Sequence, residues 1–471
     1  MHFTSIKLND IQKSTQENYS TYIKFKNKQT YSEYSKNKQV VYQDKIYTLL
    51  PGWKFRENFQ EHGVEKMNIY NNNCIFAIYI KIIVIMYQYT PSTLPNTRID
   101  AADILRGFAI GGIVIIHFLE HMNFYKFPEL TSLDRTIWDT VFFLLANKMY
   151  AIFSLLFGLS FFIQHDNQAQ KGKDFRLRFA WRMVLLMLWG IFDLVFYNGD
   201  ILTVYAACGW LLIPFIRSSN KVLTIIAFIL VLQPVELVYL ILGLINPDMQ
   251  PLNLGSGALF RALLPYQMEG SFFEMAWAGI KYGFPINFLW AIENGRFTQT
   301  LFLFFLGILM GRHRFFYDEG NNRTLWKKII IYSIIAFAIL YPLQEYVPGM
   351  IDNVCVSRSL KILLKVWMNL SMMMFYVAGI TWLFHCTKGG HKLIAIAPYG
   401  KMSLTNYMTQ SIFGAMIFYG WGFGLYQYCG HTYSLLMGIV FVGLQYVFCR
   451  WWLKHNKRGP FEELWRRGTW I

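Results

Sequence analysis

Asp103, Arg106 and His117 lie within one apolar run, Asp103-Ile-Leu-Arg-Gly-Phe-Ala-Ile-Gly-Gly-Ile-Val-Ile-Ile-His117, and His121 follows one turn later. At 3.6 residues per turn, 103 to 106 is just under one turn and 106 to 117 is about three, so all four share a helix face. Each ionisable group costs roughly 2.5–3.5 kcal/mol in hydrocarbon, so the stripe must face a polar cavity or other protein. The chemistry on offer is twofold. A guanidinium grips phosphate through two parallel N–H donors, and an imidazole takes a proton from a hydroxyl or amine near neutral pH. With a rise of 1.5 Å per residue, about 16 Å separates Arg106 from His117. Coenzyme A suits that distance: its phosphorylated head would rest on the arginine while the pantetheine arm carries a thioester to the histidine. The structural alternative makes Asp103 and Arg106 a pair at the helix start and has His117 bonding a neighbouring helix.

Further polar groups interrupt apolar segments. Lys148, Asp193 and Glu236 fall at depths comparable to His117, and either carboxylate can orient the imidazole by accepting its second N–H. Pairing of Lys148 with Asp193 or Glu236 for stability alone is the competing expectation. Pro234, just before Glu236, removes a backbone donor and locally opens the helix. Near the C-terminus, Tyr399-Gly-Lys-Met-Ser-Leu-Thr-Asn-Tyr-Met-Thr-Gln-Ser411 opens a helix on which Ser403, Asn406 and Gln410 share a face, either to line an acyl channel or to serve as glue between helices. Gly414 and the glycines after it suit close helix contact. Asp200, after Asn198-Gly199, reads as an N-cap. The six cysteines are scattered without C-x-x-C or metal-ligand spacing, so free thiols and no metal are expected.

These groups must be positioned by membrane helices. Of 471 residues, 54% are hydrophobic and 15% charged, too apolar for a soluble enzyme of this size. The net charge of +16 falls in short clusters between apolar segments, where the positive-inside rule accounts for it, and nucleic-acid binding is excluded as the reading. The fold class is all-α, a polytopic bundle of about ten helices at roughly 103–121, 138–163, 181–197, 201–216, 222–245, 298–311, 327–343, 362–385, 403–422 and 432–453. Basic clusters at Lys171 to Arg182, Arg217 and Lys221, Arg312 to Lys328, Lys388 to Lys401 and Lys454 to Arg467 agree with one topology, in which both termini are cytoplasmic. The external connection at about 246–297 is rich in proline and aromatics, as a packed cap or a substrate lid would be. Residues 1–97 form a poorly structured extension. Its apolar run Cys74 to Tyr89 is short for a span, and translation is expected to begin at Met86.

Six ordered motifs resemble the YeiB-like family of bacterial integral membrane proteins, domain of unknown function 418. They are Arg98-Ile-Asp with the Asp103 run, Phe153-Ser-Leu-Leu-Phe-Gly158, Gly199-Asp-Ile-Leu-Thr-Val-Tyr-Ala206, Leu306-Gly-Ile-Leu-Met-Gly-Arg312, the Gly400 to Ser411 segment and Gly459-Pro-Phe-Glu-Glu-Leu-Trp-Arg466. The resemblance implies that 98–471 is a single transmembrane domain of the bacterial cytoplasmic (inner) membrane. The first-helix motif is also similar to that of the heparan-glucosaminide acetyltransferases and the bacterial sugar O-acyltransferases. In the latter an Arg precedes a catalytic His by three turns, the spacing held here by Arg106 and His117.

The expectation is a membrane acyltransferase that moves an acetyl or short acyl group from cytoplasmic acyl-CoA to a glycan or lipid-linked acceptor. Asp103 and Arg106 hold the donor, His117 is the general base, Asp193 or Glu236 supports it, and Ser403, Asn406 and Gln410 line the channel. The rival from another class is a transporter or flippase of a lipid-linked or anionic small molecule that uses the same charges. A structural partner in an envelope complex is the third reading.

Overall fold

The computed structural model describes residues 91–121 and 130–470, together with the backbone of four short strands nearer the N-terminus. The chain divides into two units, Met1–Ile85 and Met86–Ile471. In the first, β1 (Gln39–Tyr42) pairs antiparallel with β2 (Lys45–Thr48), Gln39 opposite Thr48. Likewise β3 (Arg56–Asn58) pairs with β4 (Lys66–Asn68), Arg56 opposite Asn68. An extension expected to hold little regular structure therefore carries two hairpins where it is described. The apolar run Cys74 to Tyr89 and the start at Met86 lie outside the described residues.

The second unit is helical throughout its described elements. Its helices are α1 (Asp100–Glu120), α2 (Ser132–Leu145), α3 (Met149–Ala169), α4 (Arg176–Asp193), α5 (Leu202–Leu212), α6 (Asn220–Val231) and α7 (Pro234–Ile245). Then come α8 (Ser256–Met268), α9 (Phe272–Ala278), α10 (Phe284–Glu293), α11 (Arg296–Arg312), α12 (Asn322–Tyr346) and α13 (Val354–Cys386). The chain closes with α14 (Ala397–Lys401), α15 (Ser403–Phe418), α16 (His431–His455) and α17 (Pro460–Thr469).

Five stretches are long and apolar enough to cross a membrane: α1, α2 with α3, α12, α13 and α16. The bent pair α6–α7 makes a sixth if it is one span. The protein is multi-pass. Helices stand at the other expected segments too, but α5, α11 and α15 have 11, 17 and 16 residues, short of the roughly 20 a span needs, and α4 begins with three arginines. The segment 222–245, expected as one helix, is broken. Gln233 adopts φ 54°, Pro234 has no N–H to continue the ladder, and the halves diverge by 46°.

Position in the bundle follows from burial. The apolar window of α1 is 72% buried, with α3, α13, α14, α15 and α16 packed around it, whereas that of α12 is only 11% buried and shows Ile331, Ile334, Ile335 and Ile339 outward. The helix with the polar stripe is thus the hub, and lipid-facing surface belongs to the periphery. At the α3–α11 crossing a Cβ on Gly158 would overlap the Phe304 carbonyl and one on Gly307 the Leu155 carbonyl, so only glycine permits the approach. Several connections gather at the Arg106 end of the bundle. Arg217 pairs with Asp174 at 3.3 Å, Arg312 donates to the carbonyls of Ile216 and Ser218, and the Tyr317 hydroxyl reaches the Thr97 carbonyl.

Candidate functional site

At the start of α1, Asp103 lies between two guanidiniums, Arg98 at 2.8 Å and Arg106 at 2.8 Å, and Arg106 also donates to Ser160 Oγ on α3 at 2.6 Å. The Arg106 side chain keeps 25% of its surface and that of Arg98 60%, while Asp103 is buried. Two cations against one carboxylate leave a net positive charge and spare N–H donors at this end. The expected Asp103–Arg106 pair is therefore present, and it extends to Arg98.

Three turns on, His117 enters a dense polar cluster. Its ring lies 4.4 Å from that of Tyr197 and 6.0 Å from that of Tyr407, and Gln410 of α15 is a polar neighbour. Gln410 donates through Nε2 to Ser411 Oγ at 2.8 Å, which leaves its Oε1 to accept from the imidazole. His117 is half-buried, and its Nδ1 is buried without a hydrogen-bond partner. Glu120, one turn along the same face, accepts from the Tyr197 hydroxyl. His121 is buried against the Tyr197 and Tyr419 rings, at 4.8 and 5.2 Å, and reaches α15 where Gly414 leaves room for it. Asp193, buried at the end of α4, completes no hydrogen bond of good geometry, and its nearest hydroxyls are those of Tyr407 and Ser411. Asp200 caps α5, accepting from the Leu202 and Thr203 amides at 2.9 and 2.8 Å, and it also takes the Tyr407 hydroxyl at 3.2 Å.

This cluster draws on α1, α4 and α15, which lie far apart in the chain, and the comparisons fall on the same parts. Residues 310–471 match the model of a protein of unknown function (DUF418). The chain is 28% identical over 408 residues to the uncharacterized protein YxaH of Bacillus subtilis (strain 168), covering 80% of this chain and 96% of that one. To the uncharacterized protein YeiB of Escherichia coli (strain K12) it is 25% identical over 396 residues, covering 78% and 95%. The C-terminal third of the chain is similar to the DUF418 family. Residues 98–245, which hold α1 to α7, match the catalytic model of heparan-alpha-glucosaminide N-acetyltransferase, so this part of the chain is similar to an acetyltransferase. His117, Glu120 and Asp193 lie in that match, while Tyr407, Gln410 and Ser411 lie in the other.

Not every expected residue joins the cluster. Glu236 faces α13, where its neighbours are Ser359 and Arg358, away from His117. Asn406 is spent on packing, donating to the Tyr399 carbonyl at 3.0 Å and accepting from Cys449 Sγ at 3.3 Å. Ser403 begins α15 two turns before Gln410, beside Leu404 and Thr405, whose amides are capped by Glu462 of α17 at 2.7 and 3.0 Å. Lys148 pairs with neither Asp193 nor Glu236. Its ammonium turns to the Phe143 carbonyl at the break between α2 and α3. The free cysteines Cys208, Cys355, Cys386, Cys429 and Cys449 are as expected, and among the described residues no group of His, Cys, Asp and Glu is arranged to hold a metal.

Sequence reasoning missed Glu120, Tyr197 and Arg296. Glu120 stands three residues after His117 and Tyr197 four after Asp193, so the helical spacing that singled out one of each pair also pointed to the other. Arg296 precedes an apolar segment and reads as an interfacial residue until α10 and α11 are folded.

Proposed function

We propose that the protein is an acyl-CoA-dependent acyltransferase of the bacterial cytoplasmic membrane, moving an acetyl or short acyl group onto an outward-facing glycan or lipid-linked acceptor. The Arg106 end, with its arginines and basic connections, is then cytoplasmic, as are both termini. One observation carries this reading. The stretch similar to an acetyltransferase catalytic region contains the hub helix, and that helix presents a histidine to an enclosed polar cluster.

The donor fits the residues present. Arg98 and Arg106 retain exposed surface and exceed Asp103 in charge, which suits a CoA phosphate. His117 accepts the proton of the acceptor hydroxyl or amine as that atom attacks the thioester carbonyl, and the C–S bond then breaks to release CoA, whose thiolate takes the proton back. Gln410, whose Oε1 has no partner, is placed to accept the N–H of one imidazole nitrogen and so to select the tautomer that leaves the other to take the proton. Asp193, near Tyr407 and Ser411, stabilises the imidazolium electrostatically. Glu236, facing α13, has no part in this step.

Labelled acetyl-CoA supplied to membrane vesicles should place label in the envelope glycan or lipid fraction. His117→Ala should abolish incorporation while the protein still extracts and elutes as wild type does. Activity within a few-fold of wild type would refute the role. Acetyl-CoA should raise the unfolding temperature of the purified protein, and Arg106→Ala should remove that effect.

The broken pair α6–α7, with buried Glu236 just past its bend, favours a second reading, since transporters place sites at interrupted helices. Proton-coupled uptake into liposomes without acetyl-CoA binding would decide for it.

A further inference from the structure

Beside the His117 cluster lies a set of cations that the proposed transfer leaves unused. Arg296, the first residue of α11, donates to Asn147 Oδ1 and lays its guanidinium over the rings of Tyr150 and Trp290, at 4.6 and 4.3 Å. Asn147 takes φ 66° in the turn between α2 and α3, and the next residue is the buried Lys148. Two cations therefore converge on one turn. Lys365 of α13 lies within Coulombic range of both, and Lys361 within range of Lys365. Gly295, just before Arg296, packs beside Ile362 of the same helix.

Negative charge is scarce here. Among the described residues none of these four cations joins an ion pair. Glu120 is within Coulombic range of Arg296, but its carboxylate is engaged by the Tyr197 hydroxyl. Neutral donors are left over as well. The amides of Gln299 and Gln233, 2% and 1% exposed, accept from Tyr150 and Thr298 through oxygen, yet each Nε2 is without a partner. Gln299 is one turn beyond Arg296, and Gln233 faces Gly295. The first turn of α11 has no side-chain cap, so its backbone donors and helix dipole point the same way. Cations that repel one another, with Lys148 buried among them, and idle buried N–H groups are both unfavourable unless an anion completes them.

We infer that Lys148, Arg296 and Lys365 bind a phosphate-bearing ligand, whose oxygens take the free amide donors of Gln299 and Gln233. A phosphate suits the site better than a carboxylate, because the donors come from several helices and the positive charge exceeds one. Free phosphate and a lipid phosphate headgroup share this chemistry. Lys361 and Lys365 are exposed on α13, which gives a headgroup a lateral way in. Because Arg296 is within Coulombic range of His117, a ligand anchored here is within electrostatic reach of the imidazole. Its role as the acyl acceptor rests on the proposed transfer, but its binding does not.

The test uses the full chain in phosphatidylcholine nanodiscs with no acyl donor. Adding inorganic phosphate, or replacing part of the lipid with phosphatidic acid, should raise the unfolding midpoint by a few degrees. Arg296→Gln and Lys365→Gln should each lose that shift. Lys365 is exposed, so its variant keeps the test open if the other fails to fold. Stabilisation by inorganic phosphate identifies a free anion, and stabilisation by phosphatidic acid alone identifies a headgroup. No shift in wild type with either probe, or an undiminished shift in Lys365→Gln, overturns the site. An inactive His117→Ala variant with an intact phosphate shift, or the reverse, separates this inference from the transfer reaction.

Discussion

Gly414 is a residue-scale control on the cluster. A Cβ there would stand 2.6 Å from His121 Nε2, so Gly414→Ala must push the imidazole towards the Tyr197 and Tyr419 rings. Overpacking of this kind costs about 1–3 kcal/mol. A lowered unfolding midpoint is expected, with acetyl incorporation falling further than the stability loss explains; an unchanged midpoint would show that the ring moves freely. At this scale the stripe on α1 was legible because helical spacing needs no tertiary information. Gln410 was legible for the same reason, but its meeting with His117 was not, since 293 positions separate them and only packing joins them. The meeting of Lys148 with Arg296 was harder still. Their common neighbour Asn147 sits in a left-handed turn that apolar periodicity passes over.

At the scale of elements, two distant motifs turn out to be one contact. Phe153 to Gly158 and Leu306 to Arg312 supply the glycines of the α3–α11 crossing, and Gly158→Val should force those helices apart and greatly reduce the amount of folded protein extracted from the membrane. The Gly459 to Arg466 motif has a similar explanation. Glu462 accepts from the Leu404 and Thr405 amides and from the Thr405 hydroxyl, capping α15 from another helix. Glu462→Ala should cost about 1 kcal/mol, the usual worth of a helix cap, and a midpoint equal to wild type would contradict it. Helix positions were readable from apolar runs. Their lengths and breaks were not, because α11 and α15 are short helices sheltered by neighbours and the bend before α7 depends on the left-handed Gln233 as well as on Pro234.

For the whole molecule, charge at the Arg106 end sets a pH response. Glu463 on α17 lies outside the membrane spans, and Arg466, with Arg467 and Arg458, lowers its pKa from 4.5 to about 2. A group depressed in the folded state stabilises it above the ordinary value and loses that effect as pH falls through the folded one. The difference in unfolding midpoint between wild type and Glu463→Gln should therefore be constant from pH 7 to 5 and shrink towards pH 2; a change between 7 and 5 would point to another group. That the chain is an apolar helical bundle was plain from composition, whereas which helix is the hub became clear only from burial. The cap by Glu462 also sets an order of events. During synthesis the α15 segment leaves the ribosome about fifty residues before Glu462 does, so the helix that carries Gln410 begins life with its first turn unsatisfied. The polar cluster is then among the last features to mature, and a chain cut short before α17 would reach the membrane with its helices made and its chemistry unassembled.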